Sequence, residues 1–402
     1  MADLVFTGIG VVAPTGSTAE EHWASVLKGQ SGITRISRFD ASGYPVRYAG
    51  QVVDPRVAQA VPGRLAPQTD RWTHLALVAA DEALRDADVD PKAVPEYEMA
   101  VVTSSSSGGT EFGQREIERL WRDGPDHVGA YQSIAWFYAA TTGQLSIRHG
   151  MRGPCAVLAA EQAGGLDVLD HARRLTRSGC RLVLTGGTDA SLSPYGLVAQ
   201  LPTGLLSTVD DGAYRPFDVA ASGHLPGEGG AILVAEEASA ARDRGHDRPY
   251  GVLRGHAAGF DPPPGSNRPP VLERVLRAAL SDAGVWPSEV DVVFADAQGT
   301  PAADLAEARA IGAVFGAHGV PVTAPKTLTG RLYGGGAALD VATALMSLRY
   351  GVVPHTAGVE RPVPAYDLDL VLDRPRERPV RTAVVLARGY GGFTSAVVLG
   401  AA

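Results

Sequence analysis

Cysteine is scarce: two thiols in 402 residues cannot build a disulfide framework, so a reducing compartment and a core-held fold are expected. Positive charge is not in excess either. Lys and Arg number 36 against 44 Asp and Glu, and a net charge of −8 argues against nucleic acid as a partner. No apolar run is long enough to span a bilayer. The opening Met1-Ala2-Asp3-Leu4-Val5-Phe6 lacks a basic segment and a long apolar core, so no signal peptide is expected and the location reads as cytoplasmic. The ten histidines show no metal-ligand spacing, and no metal or other cofactor is expected. A G-x-S-x-G nucleophile elbow is missing too.

What is present is a globular balance, 45% hydrophobic and 20% charged, in a chain that exceeds one ordinary domain and suggests two fused core units. Short β-type runs alternate with longer helical patterns, which predicts sheets covered by helices. Leu4–Val12, Met99–Ser104, Cys155–Ala160, Leu182–Thr185 and Ala231–Ala235 read as strands in the first half. Gly251–Gly255, Val290–Ala295, Val320–Ala324, Thr382–Leu386 and Ser395–Leu399 read so in the second. The spacing predicts helices over Leu75–Asp88, Glu111–Arg122, Ala130–Arg148, Ala163–Arg177, Val271–Ala283, Ala303–Phe315 and Ala337–Tyr350. The proline-rich stretch 261–270 is the only linker-like segment.

Several motifs have a plain structural reading. Gly8-Ile9-Gly10-Val11-Val12-Ala13 matches a dinucleotide fingerprint, but Pro14-Thr15-Gly16 follows where a helix would have to begin. A buried strand turning sharply is the better account. Cys155 opens an apolar strand and Cys180 follows a helix, so both read as small hydrophobes rather than nucleophiles. His149 and His171 sit in helical stretches and read as structural. Trp136-Phe137-Tyr138 lies in a helix apolar nearly all round, which reads as interface packing.

The stretch around Gln162 is different. A strand, a turn and a helix beginning near Ala163 place residue 162 at a helix N-terminus, where dipole and free N–H groups would activate a thiolate. An amide cannot ionise or attack a carbonyl. The segment Gly153-Pro154 … Gln162-Ala163-Gly164-Gly165-Leu166-Asp167 resembles the nucleophile turn of the β-ketoacyl synthases, where Cys is expected at 162. Tyr214-Arg215-Pro216-Phe217-Asp218 with Gly227-Glu228-Gly229-Gly230 is similar to that family's "RPFD … GEG" stretch. Asp296-Ala297-Gln298-Gly299-Thr300 resembles "HGTGT" with Gln298 in place of the first His. Lys326-Thr327-Leu328-Thr329-Gly330-Arg331 resembles "KSxxGH" with Arg331 in place of the second. Gly389-Tyr390-Gly391-Gly392-Phe393 is similar to the "GFGG" loop. Scaffold motifs that match, around three catalytic positions that do not, resemble the chain length factor (ketosynthase-β) group of type II aromatic polyketide synthases. The run Tyr131–Pro154 resembles that group in particular.

The resemblance implies an α/β, thiolase-like five-layer αβαβα fold of two pseudo-duplicated halves, expected here as residues 1–250 and 251–402. It implies no condensing activity, with Gln162, Gln298 and Arg331 as degenerate positions. It also implies a heterodimer with a cysteine-bearing ketosynthase-α subunit that extends chains held on an acyl carrier protein. With a net charge of −8, a strongly electrostatic hold on an acidic carrier by this chain is not expected. Thr110, Gly113 and Ile117, at i, i+3 and i+7, share a helix face that the resemblance places along the chain-length tunnel. Two are small and one is moderate, which predicts a roomy tunnel and a long product. Two readings of Gln162 stay open. In one its amide helps decarboxylate a malonyl thioester into an acetyl starter, a reaction whose enolate needs preorganised donors. In the other Gln162, Gln298 and Arg331 hydrogen-bond among themselves in a closed site, with Glu161 or Asp296 as the acid that Arg331 requires.

Overall fold

The computed structural model describes residues 4–263 and 265–402. Met1–Asp3 and Pro264 of the proline-rich stretch lie outside the described residues.

Eleven strands form the main sheet: β1 (Leu4–Val12), β2 (Met99–Ser104), β3 (Cys155–Leu158), β4 (Leu182–Ala190), β5 (Glu228–Glu237), β6 (Gly251–Phe260), β7 (Val292–Phe294), β8 (Pro321–Thr323), β9 (Asp369–Leu370), β10 (Thr382–Arg388) and β11 (Phe393–Gly400). Their spatial order is β9-β8-β7-β10-β11-β6-β1-β5-β4-β2-β3. From β1 outward the pairings run antiparallel, antiparallel, parallel, parallel. From β6 outward through β11, β10, β7 and β8 the same sequence repeats. The fold is therefore internally duplicated. Among the described residues, the two half-sheets pair with each other at Val5–Val252 and Phe6–Gly251.

Helices cover and separate the two half-sheets. Those needed below are α1 (Arg71–Asp86), α2 (Thr110–Asp123), α3 (Ala140–His149), α4 (Gly164–Arg177), α5 (Leu272–Ala283), α6 (Pro301–Phe315) and α7 (Gly334–Tyr350). On one outside, α1 packs on β1, β4 and β5, and α3 on α1 and β2. On the other, α5 packs on β6 and β11, with α6 against α5. Between them α4 and α7 touch each other and strands of both halves, giving five layers, α-β-α-β-α. The burial follows from sequence. Gly334–Leu348 of α7 is buried throughout, as an all-round apolar helix must be.

β1 is buried at every position, so its unbroken apolar run reads correctly as a strand covered on both faces. A Cβ at Gly8 would lie 2.1 Å from the Ala83 carbonyl oxygen, and one at Gly10 would lie 1.8 Å from that of Ala79. The two glycines thus let α1 lie flush on the strand, and the next helix begins only at Ala19, capped by Thr18.

Three expectations need correction. The single helix over Ala130–Arg148 is two, Gln132–Ala135 and α3, with Trp136–Ala139 between them outside any helix. Here the Trp136 carbonyl accepts the Gly109 amide (3.3 Å), a tertiary bond in place of a helical one. Cys155 is not a buried hydrophobe but is exposed on the edge strand β3, while Cys180 is buried. The proline-rich stretch connects β6 to α5 inside the second half rather than separating two units.

Candidate functional site

β3 ends at Leu158, and the chain then turns with Glu161 in the left-handed region (φ 50°) before α4. The turn delivers Gln162 into the interior at 1% exposure. There its amide lies across the start of α7, where a Cβ on Gly336 would fall 2.7 Å from Oε1 and 2.8 Å from Nε2. Glycine at 336 is what admits the Gln162 side chain. The adjoining cavity, lined by His22, Lys326, Thr329, Gly330, Asp340 and Thr343 among others, has a volume of about 10 Å³. That is room for one water molecule at most and not for a malonyl group.

Arg331 is 1% exposed and fully engaged. Its Nη2 donates to Asp296 Oδ1 at 3.0 Å and to the Arg388 carbonyl, Nη1 donates to the Asp296 carbonyl at 3.3 Å, and Nε lies 3.8 Å from Glu161 Oε1. Both acids anticipated as partners are therefore present. Asp296 Oδ1 also accepts the Arg388 amide at 2.9 Å, and Glu161 Oε2 accepts the Tyr390 amide at 2.9 Å. Lys326 Nζ completes the cluster, 2.7 Å from Asp340 Oδ2 and donating to the Asp296 carbonyl at 3.0 Å.

The electrostatics follow from this knot. Burial pushes the Asp296 carboxyl up, but Arg331, Lys326 and Arg388 outweigh it and hold the group below the usual carboxylate range. Burial raises Glu161, which Arg331 offsets only in part. Burial works against the Arg331 charge, and the Asp296 and Glu161 carboxylates reverse that, so the guanidinium stays charged. His224 is lowered to about 3 by burial and then by Arg331, so it is neutral at physiological pH.

The structure brings Gln162 and Arg331 to one place, with Gln298 two residues beyond Asp296 and half-buried. It does not link them as expected. No Gln–Gln–Arg hydrogen bonding occurs among the described residues: Gln162 Oε1 has no partner, and Arg331 takes acids and carbonyls instead. The reason is charge, because a buried guanidinium gains more from carboxylates than from amides. Several members were not foreseen, namely Lys326 and Asp340, the Arg388 backbone, and Glu307, whose carboxylate accepts the amides of Asp296 (2.7 Å) and Ala297 (2.8 Å). A lone acid inside the otherwise apolar α7, Asp340, was the available signal.

Of the three residues expected along a tunnel, Thr110 and Gly113 are buried, and a Cβ on Gly113 would lie 2.9 Å from Trp136 Cδ1. Ile117 is 47% exposed, and beyond it Leu120, Trp121 and neighbouring Tyr195 are uncovered too. The turn that launches α2 is tied to the site. Asp189 accepts amides from Ser106 (3.0 Å), Ser107 (3.3 Å) and Gly334 (2.8 Å), the last at the start of α7.

Comparison with known proteins fixes the family. Residues 1–241 match the β-ketoacyl synthase N-terminal domain and residues 250–360 its C-terminal domain. The chain belongs to the β-ketoacyl synthase family. It is 57% identical over 401 residues to the tetracenomycin polyketide synthase ketoacyl synthase beta subunit of Streptomyces glaucescens, covering 99% of this chain and 98% of that one. Its fold is similar to the ishigamide ketosynthase/chain length factor, with a TM-score of 0.92 at 26% identity, covering 100% of this chain and 99% of the other. It is also similar to a type II polyketide synthase ketosynthase solved with its acyl carrier protein and a bound hexaketide, with a TM-score of 0.89 at 25% identity, covering all of both chains. The β-ketoacyl synthases are thus its family.

Proposed function

We propose that this chain is the non-condensing ketosynthase-β (chain length factor) subunit of a type II polyketide synthase. It pairs with a cysteine-bearing ketosynthase-α subunit and sets how many times the chain on the acyl carrier protein is extended. The observation that carries the reading is the filled site. Arg331, Asp296 and Glu161 occupy each other, the Tyr390 amide is taken by Glu161, and the cavity beside Gln162 is about 10 Å³. A malonyl group would find no room there, and the buried cations Lys326 and Arg331 are already paired with carboxylates. Gln162, Gln298 and Arg331 are accordingly structural, no cofactor is used, and the protein works in the cytoplasm.

The halves divide near Tyr250 and Gly251, and the pairing face runs over the edge strand β3, the Tyr131–Phe137 segment and α2. Support comes from exposed Cys155, Ile134, Trp136 and Phe137, more apolar surface than a monomer leaves uncovered by chance. Thr110, Gly113 and Ile117 form the wall of the growing chain's tunnel, and their small volume goes with a long product. The test is reconstitution with the ketosynthase partner, carrier protein and malonyl donor, with and without this chain. Long polyketide should form only with it, and Thr110→Phe should shorten the product while the heterodimer persists. The same product from the partner alone, or unchanged length in the variant at normal yield, overturns the reading.

A further inference from the structure

At the far end of α7 from Gln162, about 20 Å along the helix axis, lies a cleft of about 530 Å³. Its floor is apolar, built from Val5, Ala238, Ala241, Val252 and Leu348, where the two half-sheets join. Its rim is basic. Arg242, Arg248, Arg254 and Arg349 all line it, all are exposed, and none forms an ion pair with a described acid. His246 adds a ring whose Nε2 is buried without a partner. Arg349 is already positioned, donating to the Arg248 carbonyl (2.7 Å) and stacking 5.1 Å over the Tyr250 ring. One carboxylate on this rim, Asp247, opposes the basic charge.

Four exposed guanidinia that form no ion pair with a described acid gather in one cleft of a chain with a net charge of −8. Residues 242–249, which carry two of them and His246, also fall between the two family-matched regions. Guanidinium forks suit phosphate oxygens, and the volume suits a small molecule with an apolar portion rather than a protein surface. We propose that this cleft binds an organic phosphate of nucleotide size, its phosphates on the arginines and its ring system over the apolar floor beside Tyr250.

Calorimetric titration of the heterodimer with ADP, pyrophosphate and a phosphate-free dicarboxylate tests this. ADP should bind most tightly, and Arg248→Glu with Arg254→Glu should weaken it about tenfold or more while leaving the melting temperature of the ligand-free complex unchanged. Three results would overturn the proposal: no ADP binding at millimolar concentration, binding undiminished in the double variant, or a dicarboxylate bound as well as ADP. Pyrophosphate binding as tightly as ADP would remove the role of the apolar floor and overturn the organic part. Because condensation does not involve these residues, loss of the chain-length function would not imitate any of these results.

Discussion

Two regions of this molecule have answered opposite pressures. Around Arg331 every strong charge has found a partner and the space has closed to about 10 Å³. Along α2 and its neighbours Ile117, Leu120, Trp121 and Tyr195 remain uncovered, with Trp121 83% exposed. A pocket that no substrate enters can fill with its own ion pairs. A surface that must meet another protein has to leave its apolar side chains unsatisfied until the partner arrives. The difference sets an interior filled by its own ion pairs against a surface whose apolar side chains are left open.

The sharpest way to break the comparison is to strip the sealed region of one charge. Asp296→Ala leaves Arg331 buried with its main partner gone and should cost about 3–5 kcal/mol of stability, read as a lower urea midpoint. A change under about 1 kcal/mol would mean that Glu161 alone can carry the guanidinium. At the open region, Ile117→Asp with Trp121→Ser should leave the isolated fold intact. It should cost the heterodimer about 2 kcal/mol, roughly thirtyfold in Kd by sedimentation or calorimetry. Unchanged affinity would place the pairing face elsewhere.

A gentler probe is pH. Burial raises Asp70 and Asp304 to about 6 and Glu82 and Asp189 to about 7. The folded state then holds protons that the unfolded chain releases from about pH 4 upward, so stability falls as pH rises from there through about 7. Asp296 has the opposite sign. Its depressed carboxyl contributes stability above the unfolded value of 3.8 that is lost as pH falls below it. Buried His22, His74 and His224, lowered to about 4, 4 and 3, act the other way as pH falls below the unfolded value of 6.5. Asp189→Asn isolates the carboxyl contribution: its urea midpoint relative to the parent should be higher at about pH 7.5 than at about pH 5.5. A difference that does not change between the two pH values contradicts this. The smallest effect is chemical. Cys155 in the isolated chain should react readily with a thiol reagent and Cys180 slowly, and partner binding should slow Cys155 alone. Equal labelling of Cys155 with and without the partner would take β3 out of the interface.

Much of the architecture was legible because burial writes periodicity into the chain. The unbroken apolar run of β1 and the amphipathic spacing of α4 and α5 correspond closely to their observed bounds. Glycine hid part of the rest. β4 continues past Thr185 to Ala190, since Gly186, at φ 127°, sits where a Cβ would lie 2.3 Å from the Ala231 carbonyl. Its apolar signal stops where the neighbouring strand comes closest. Trp136–Ala139 misled for the converse reason, being apolar without being helical because its backbone serves a tertiary bond to Gly109. At the site, the altered identities of residues 162, 298 and 331 were visible from motif spacing. The wiring was not, because Asp296 meets Arg388 across 92 residues of chain and Glu161 meets Tyr390 across 229.

On the non-condensing reading proposed above, that wiring makes the loss of catalysis a ratchet. Gln162→Cys would restore a thiol but not the Tyr390 amide, which Glu161 holds. Arg331→His would leave Asp296 and Glu161 facing each other across a site that had depended on a permanent cation. Glu161→Gln would free the amide and weaken the hold on Arg331. The steps at Arg331 and Glu161 each unbalance a buried charge before any activity can return. A lineage that has closed this knot is held in the partner role by folding stability alone, and recovering an independent enzyme would require several substitutions to arrive together.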